Sequence, residues 1–490
     1  MKKHWLLILI LLFGLFFRTY RTSNLMGFYF DQGRDAKVIW DLWHNNKFFL
    51  IGPTTGIEGI FLGPFYYYLI APAYLLGGGN PVWPAVELVI INILGIFVVY
   101  KIGEIYFSRT SGIIAAFLLA FSHRLVQDHR WLSNPTPLPL LAAIAVFIIL
   151  KIINSQARAI HYLILGLVLG LSLQLEAASA IFFLPATALI FILFYRSIFR
   201  KLIYLLHLVL TFSLTLIPQL YFNFRHENII FQAFQRFLIS EKSFQPTLSG
   251  FYTDRLRYYY QVFFEKLIND NNLLPLFILL IIFLLLFTIT KLVNKNIGVL
   301  LVWIITPLVF LLFYHGNYGF IWGYYFTGVI PVFILLFSYI LSLGIAQKGF
   351  ACAVVVVLLL LFSYDNTLHL KKFLTTDLKD PTTISFDNSL SAVDWVYQDA
   401  KNTPFNVDAY VPPVIPHAYN YLFLWRGSTK YHVLPQQILV PRLYTVIEQD
   451  PPHPERLEQW LTRQQNYAQV GTEITFGGVS AQRRARYQTK

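Results

Sequence analysis

The stretch FLGPFYYYLIAPAYLL, residues 61–76, decides how this chain is threaded through a membrane. It is apolar, but it is shorter than the roughly 20 residues that a membrane-spanning helix requires. It also contains two prolines and a run of three tyrosines, a residue type enriched at the membrane–water interface. Whether this stretch spans the membrane determines on which side every later loop lies.

The basic residues of the later loops resolve this choice. If residues 61–76 do not span, every short loop on the cytoplasmic side is basic, as the positive-inside rule requires. If they do span, all of these loops face outward and the rule fails. We therefore predict an interfacial or re-entrant helix on the outer face. The deciding cations are Lys101, Arg109, Lys151, Arg158, Arg196, Arg200, Lys201, Lys291, Lys295 and Lys348.

Eleven other apolar runs predict membrane-spanning helices. The first, residues 5–17, is followed by Arg18-Thr19-Tyr20-Arg21, which offers no small-residue cleavage site, so we interpret it as an uncleaved signal anchor. The N-terminus is then cytoplasmic and the C-terminus external. The other runs are 83–100, 111–126, 135–150, 160–174, 177–195, 202–217, 273–289, 297–314, 321–346 and 350–363.

Composition supports a membrane protein. Hydrophobic residues make up 56% of the chain and charged residues 13%, with a mean hydropathy of +0.55, and a water-soluble fold has too much surface to hide that share. Nearly all of the net charge of +13 lies in the membrane part, and the nearly neutral remainder does not favour nucleic-acid binding. The lone cysteine, Cys352, excludes an internal disulfide and a cysteine-based metal site.

The predicted fold is an all-α polytopic membrane domain, residues 1–364, followed by a small external α/β or β module, residues 365–490. The membrane domain has external loops at 18–60 and 219–272. In the module, residues 389–400 predict a helix, and 405–411 and 443–448 predict strands. The basic residues 483–486 are interpreted as a frayed tail.

The first external loop contains Phe30-Asp-Gln-Gly-Arg-Asp-Ala36, followed by an amphipathic pattern up to His44 that suits a helix on the membrane surface. Asp31 precedes that pattern at the boundary of water and lipid. A carboxylate there can act as a general base on a lipid-borne substrate. The alternative is that Asp31 only caps the helix.

Several arginines lie at or near the outer boundary, against the bias of the predicted topology. Binding of a phosphate group at the outer leaflet would explain them, since arginine matches phosphate oxygens in bidentate geometry. The alternative is that they are ordinary exceptions to an averaged rule. These arginines are Arg18, Arg21, Arg34, Arg124, Arg130 and Arg225.

Two polar positions complete the set of candidates. Glu176 lies between two apolar runs, where an ionisable residue is either functional or exposed to water at the outer turn. Asn134-Pro135 reads as a helix start, and it also places a polar group near Arg130. We predict no cofactor, because no spacing of metal ligands is evident, although a divalent metal is not excluded.

The order of these features resembles the GT-C membrane glycosyltransferases, in particular the family-39 group. That group includes the protein O-mannosyltransferases and the lipid A aminoarabinose transferase. Asp31 matches the catalytic aspartate of the family's acidic pair, but its partner is Gln32 instead of glutamate. Arg34 matches the arginine that follows.

Later positions depart further from the family pattern. Where the family has an arginine followed by Asp-Pro, this chain has Arg130 and Asn134-Pro135. Where aminoarabinose transferases place a lysine before a proline, it has Gly63-Pro64. Asp31 is the predicted catalytic residue. The predicted substrate-binding residues are Arg34, Asp35, Tyr67, Arg124, Arg130, Asn134, Glu176 and Arg225.

The resemblance implies transfer of a sugar from a polyprenyl-phosphate donor to an acceptor hydroxyl on the external face of the cytoplasmic membrane, with inversion. The acceptor is a protein, lipid or glycan, and the other partners are membrane lipids. A transporter or flippase for lipid-linked saccharides, a lipid-linked polymer ligase and a non-catalytic scaffold are the alternatives.

Overall fold

The computed structural model describes residues 4–195, 202–239, 251–314, 316, 319–412 and 415–487. The helices of the membrane part are α1 (Trp5–Thr19), α2 (Thr22–Leu25), α3 (Phe30–Asn45), α4 (Phe65–Leu76), α5 (Val82–Tyr106), α6 (Arg109–Phe121), α7 (His123–His129), α8 (Leu138–Ile153), α9 (Ala159–Leu175), α10 (Ala177–Ala180), α11 (Phe183–Phe194), α12 (Leu202–Arg225), α13 (Ile229–Ile239), α14 (Phe251–Phe264), α15 (Leu274–Thr288), α16 (Lys295–Leu312), α17 (Ile330–Gln347) and α18 (Gly349–Leu374).

The predicted fold class is confirmed. Among the described residues, seven helical segments are long and apolar enough to cross a membrane. The bent pair α6 and α7, which meet at 69°, makes an eighth. Three shorter apolar helices, α1, α8 and α9, coincide with the remaining predicted runs, and α4 coincides with the predicted interfacial helix.

Close packing of membrane helices depends on small residues. Gly166 and Gly170 lie one turn apart on α9, facing α12. A Cβ atom on Gly166 would lie 2.1 Å from the carbonyl oxygen of Leu208, and one on Gly170 would lie 2.1 Å from the hydroxyl of Thr215. The two backbones therefore approach as closely as glycine allows, as is common between helices in lipid.

The last part of the chain forms a small α/β module. Its helices are α19 (Phe386–Ala400), α20 (His417–Arg426) and α21 (Pro454–Gln465), and its strands are β1 (Asn406–Tyr410), β2 (Arg442–Glu448), β3 (Ala468–Phe476) and β4 (Val479–Arg486). The sheet order is β1-β2-β4-β3, with β1 and β2 parallel and the other pairs antiparallel.

The interpretation of residues 483–486 as a frayed tail was wrong. They belong to β4, between β2 and β3, and β4 is reached through a hairpin turn at Gly477, whose φ is +55°. Arg483 forms an ion pair with Asp399 at 3.1 Å. Arg484 is buried, and its Nε donates to the hydroxyl of Thr445 at 3.2 Å. The basic residues therefore have partners inside the module.

The module and the surface helices share one hydrophobic core. This core joins Phe28 and Ile39 to Phe386 and Tyr421. The backbone amide of Phe386 also donates to the carbonyl of Met26 at 3.0 Å. Because apolar side chains of both parts are buried together, α3 is held between the membrane helices and the module.

The proposed boundary at residues 364/365 falls inside α18, which continues to Leu374. Asp365 is buried there and accepts from the backbone amides of Asn269 (2.8 Å) and Asp270 (3.0 Å). The division into a membrane domain and an external module stays a prediction. The predicted loop 219–272 contains the end of α12 and the whole of α13 and α14. Its residues 240–250 lie outside the described residues.

Candidate active site

The first turn of α3 carries the candidate base. The helix begins at Phe30 and its N-cap is Tyr29, so Asp31 does not cap it. Its side chain is 51% exposed, and Nη1 of Arg34 lies 2.8 Å from its Oδ1. Gln32, at the position where the resemblance expects glutamate, is buried, and its amide donates to the carbonyl of Leu132 at 3.1 Å. Asp31 is therefore the accessible carboxylate of this turn, and Gln32 anchors the helix.

Asp35 forms the buried end of the same network. Its Oδ1 lies 2.8 Å from Nη2 of Arg34 and accepts from the hydroxyl of Tyr67 at 3.0 Å. Burial raises the pKa of Asp35 to about 6, although Arg34 opposes the shift. Arg34 also donates to the hydroxyl of Thr54 at 3.1 Å. Four of the predicted residues, Asp31, Arg34, Asp35 and Tyr67, thus lie together.

Gly33 brings the module to this site. A Cβ atom at Gly33 would lie 2.3 Å from the backbone nitrogen of Ala418 and from the carbonyl carbon of His417, so only glycine allows α20 to lie against α3. The ring of His417 packs edge-on against Phe30, with 4.6 Å between centroids. His417 was not among the residues predicted from the sequence. The glycine at position 33 was the one available signal that another backbone lies close to α3.

Three of the predicted arginines bind the ends of helices. Arg130 donates to the carbonyls of Phe17 (3.1 Å), Arg18 (3.1 Å) and Tyr20 (2.9 Å), where α1 ends. Such carbonyls have no partner within their helix and carry its negative end, so a guanidinium stabilises them. Phosphate binding by Arg130 is thereby disfavoured, and we assign it a structural role.

Arg18 and Arg21 follow the same pattern. Arg18, fully buried, donates to the carbonyls of Leu119 and Ala120 at the end of α6, both at 2.8 Å. Arg21 donates to the carbonyl of Leu374, the last residue of α18, at 2.9 Å. Their position against the topology bias therefore has a structural cause, because both guanidinium groups donate to backbone carbonyls at the ends of helices.

A cavity of about 330 Å³ opens between α5, α7, α14 and α17. Part of its wall is apolar, with Ile96, Val99 and Ile330 from membrane helices. The other part is charged and comes from α7 and from the residues after α14. The charged lining residues are Arg124, Asp128, Glu265 and Lys266. The cavity thus combines an apolar wall with a cluster of charges.

The four charged residues form one ion-pair network. Glu265 lies 3.0 Å from both Arg124 and Lys266, and Lys266 lies 2.9 Å from Asp128. Burial lowers the pKa of Lys266, but Asp128 and Glu265 outweigh it, and the pKa is raised above its ordinary value. Sequence analysis considered only arginines here. The same topology argument applied to lysines would have found Lys266.

Asn134 pairs with Glu176 instead of with Arg130. Its amide donates to Oε2 of Glu176 at 3.1 Å and to the carbonyl of Leu175 at 2.7 Å. The predicted helix start is three residues early, since α8 begins at Leu138. Burial raises the pKa of Glu176, in the turn between α9 and α10, to about 7.

Tyr324 connects the cavity with the acidic residues. It lines the cavity, and it lies in the turn Gly323–Phe326. Its pKa is raised first by burial and then by its neighbour Tyr325, Glu176 and Asp31. The charges of Glu176 and Asp31 therefore act on a residue of the cavity wall. Arg225, in contrast, is exposed at the end of α12 and does not line the cavity.

No metal centre is evident. Within the described ranges, no group of three or more His, Cys, Asp or Glu side chains is placed to hold a metal ion.

Comparisons with known proteins find similarity to membrane glycosyltransferases in both sequence and fold. The family model for dolichyl-phosphate-mannose-protein mannosyltransferase matches residues 62–222, from the segment before α4 into α12. ArnT from Cupriavidus metallidurans in the apo state aligns over 97% of both chains, with a TM-score of 0.62 and 11% identity. The chain therefore shares its fold with ArnT, and residues 62–222 are similar to the mannosyltransferase family.

Two further structures share the fold of this chain. ArnT from Cupriavidus metallidurans bound to undecaprenyl phosphate aligns over 98% of both chains, with a TM-score of 0.61 and 12% identity. The apo oligosaccharyltransferase from Archaeoglobus fulgidus aligns over 99% of this chain and 75% of its own, with a TM-score of 0.51 and 15% identity. No curated protein sequence matches the chain significantly. The family-model match does not include α3, so it leaves the role of Asp31 open.

Proposed function

We propose that the chain is a membrane glycosyltransferase that moves a sugar from a polyprenyl-phosphate donor to an acceptor hydroxyl on the external face of the membrane, with inversion and with Asp31 as the general base. The observation that carries the proposal is that the half-exposed carboxylate of Asp31 acts on Tyr324, a residue in the wall of a part-apolar, part-charged cavity. A lipid phosphate needs both kinds of wall. The ArnT structure with undecaprenyl phosphate supports this donor class.

The donor occupies the cavity in this proposal. Its first isoprene units lie along Ile96, Val99 and Ile330, and its phosphate lies near Arg124 and Lys266. Both cations are paired in the structure, so a phosphate would share them with Glu265 and Asp128. This assignment replaces the wider set of arginines that the sequence suggested.

The reaction proceeds in one displacement. Asp31 takes the proton of the acceptor hydroxyl, the acceptor oxygen bonds to the anomeric carbon, and the bond from that carbon to the phosphate oxygen breaks. The leaving phosphate gains a negative charge, so cations beside it stabilise the transition state more than the ground state. A positioned base contributes roughly 10²–10⁴-fold to the rate.

The test is substitution of the base with a matched control. Asp31→Asn should lower turnover by about 10²–10⁴-fold while the donor remains bound, and native mass spectrometry should show a polyprenyl phosphate or its glycoside enriched on the purified variant. Asp41→Asn, on the same helix and paired with Lys37, is the control. Near-normal turnover of Asp31→Asn would refute the assignment of the base. If the wild type and Asp31→Asn both carry only bulk phospholipid, the proposed donor class is refuted.

A transporter of lipid-linked saccharides remains the alternative from the sequence. No specific geometry favours it, because the charges of Glu176 and Asp31 both act on Tyr324 in the wall of the cavity, which suits chemistry at one place.

A further inference from the structure

His417 lies beside the candidate base, although it comes from the C-terminal module. It is the first residue of α20, and its backbone lies against Gly33, two residues after Asp31. Its ring contacts Phe30, the residue directly before Asp31, and its side chain remains partly exposed. The module therefore presents a polar side chain to the open side of α3.

The surroundings keep this imidazole neutral. Burial lowers the pKa of His417, Arg34 lowers it further, and Asp31 opposes both. A neutral imidazole has one nitrogen that donates a hydrogen bond and one that accepts. A hydroxyl group also donates and accepts, so the two groups are complementary. A carboxylate, which only accepts, cannot supply both.

His417 and Asp31 are both absent from the lining of the cavity. The link between the cavity and Asp31 is Tyr324, which lines the cavity and feels the charge of Asp31. Asp31 is half-exposed, and the side chain next to it from the module is His417. The two sides of the site thus differ: one is suited to a lipid phosphate and the other to a polar group that comes from water.

We propose that His417 is a specificity-determining residue of the acceptor side, which hydrogen-bonds a hydroxyl-bearing acceptor and holds its reactive oxygen beside Asp31. The inference rests on the proposed function and adds the acceptor subsite to it. The proton still passes from the acceptor oxygen to Asp31, so His417 adds no chemical step. It acts on binding and orientation of the acceptor and not on departure of the phosphate.

The test compares two reactions of one donor. The donor is undecaprenyl phosphate carrying radiolabelled mannose, or the sugar that co-purifies with the protein. The model acceptors are a Ser/Thr peptide and an alkyl glycoside, and release of free sugar to water is measured in parallel. Water needs no acceptor subsite, whereas both reactions need the donor and the base.

The variants are His417→Ala, His417→Gln and, as a control, His453→Ala, which changes an exposed histidine elsewhere in the module. His417→Ala should raise the KM for the acceptor by about tenfold, the effect of one lost hydrogen bond. Hydrolysis of the donor and its KM should stay at the level of wild type. His417→Gln keeps a donor and an acceptor and should recover part of the loss.

Two results would overturn the inference. One is an unchanged acceptor KM in His417→Ala with a melting temperature equal to that of wild type. The other is an equal loss of transfer and hydrolysis, which would place His417 with the donor or the base. Asp31→Asn separates this inference from the proposed function: loss of both reactions in that variant keeps the function even if His417 fails its own test.

Discussion

Nη1 of Arg34 lies 2.8 Å from Oδ1 of Asp31, while Nη2 of the same guanidinium lies 2.8 Å from Asp35. One arginine therefore connects an exposed carboxylate to a buried one. This arrangement fixes the exposed carboxylate at the surface of α3 without covering it.

Removal of this link should weaken catalysis. Arg34→Gln leaves Asp31 in place but frees it to adopt other rotamers, so turnover should fall by about tenfold, less than in Asp31→Asn. Turnover with the identified donor is the measurement. Lys37→Gln breaks the neighbouring pair with Asp41 and serves as the control. Equal turnover in the two variants would show that the Arg34 link does not matter for the base.

The arginines should divide into two classes. Arg124→Ala removes a cation from the cavity wall, so its affinity for undecaprenyl phosphate should fall by about tenfold with little change in melting temperature. Lys266→Ala should weaken the same affinity. Titration of the purified protein with undecaprenyl phosphate measures both.

Arg130→Ala should behave in the opposite way. It leaves the carbonyls at the end of α1 without their donor, which costs about 1–3 kcal/mol for each buried group, so the melting temperature should fall clearly. The folded fraction should bind undecaprenyl phosphate normally. If Arg130→Ala loses affinity for undecaprenyl phosphate but keeps the melting temperature of wild type, Arg130 binds the phosphate after all. Arg225→Ala tests the remaining arginine of the sequence prediction, and we expect unchanged affinity.

Glu176 should make stability depend on pH. Burial raises the pKa of its carboxyl from the ordinary 4.5 to about 7 in the folded protein, so the folded state binds more protons between these values. The contribution of Glu176 to the free energy of unfolding is therefore complete below pH 4.5 and decreases as the pH rises to 7. Glu176→Gln should remove this decrease in thermal unfolding scans. Glu58→Gln, at an exposed position, should leave the pH dependence as in wild type; an identical slope in both variants would contradict the assignment.

Gly33→Ala should separate the module from α3. Its Cβ would lie 2.3 Å from backbone atoms of His417 and Ala418, which cannot move as a flexible side chain can. The melting temperature should drop, and limited proteolysis should cut the module faster. Gly56→Ala is the matched control, because no atom lies within 4 Å of its added Cβ. Wild-type stability of Gly33→Ala would mean that α20 does not need the close contact.

The apolar helices could be predicted from the sequence, but most contacts of the candidate site could not, because those contacts form only in the folded chain. Apolar length acts along the chain, so the apolar helices, α4 among them, followed from the sequence, while the interfacial position of α4 stays a prediction. Whether an arginine meets a phosphate or a carbonyl depends on which helix ends next to it. Arg124 and Arg130 lie close together in the sequence. Arg130 nevertheless donates to carbonyls at the end of α1, whereas Arg124 lines the cavity. His417 was missed because only the folded chain brings it to Asp31.

The contact between Gly33 and His417 joins α3 to a segment that is synthesised much later. The proposed acceptor side therefore cannot assemble until translation has passed residue 417. Chains released before that point would keep every residue that lines the cavity, yet they would lack the histidine that we propose selects the acceptor. The two proposed sites thus have an order of assembly: the cavity for the donor can form first, and the partner for Asp31 arrives last.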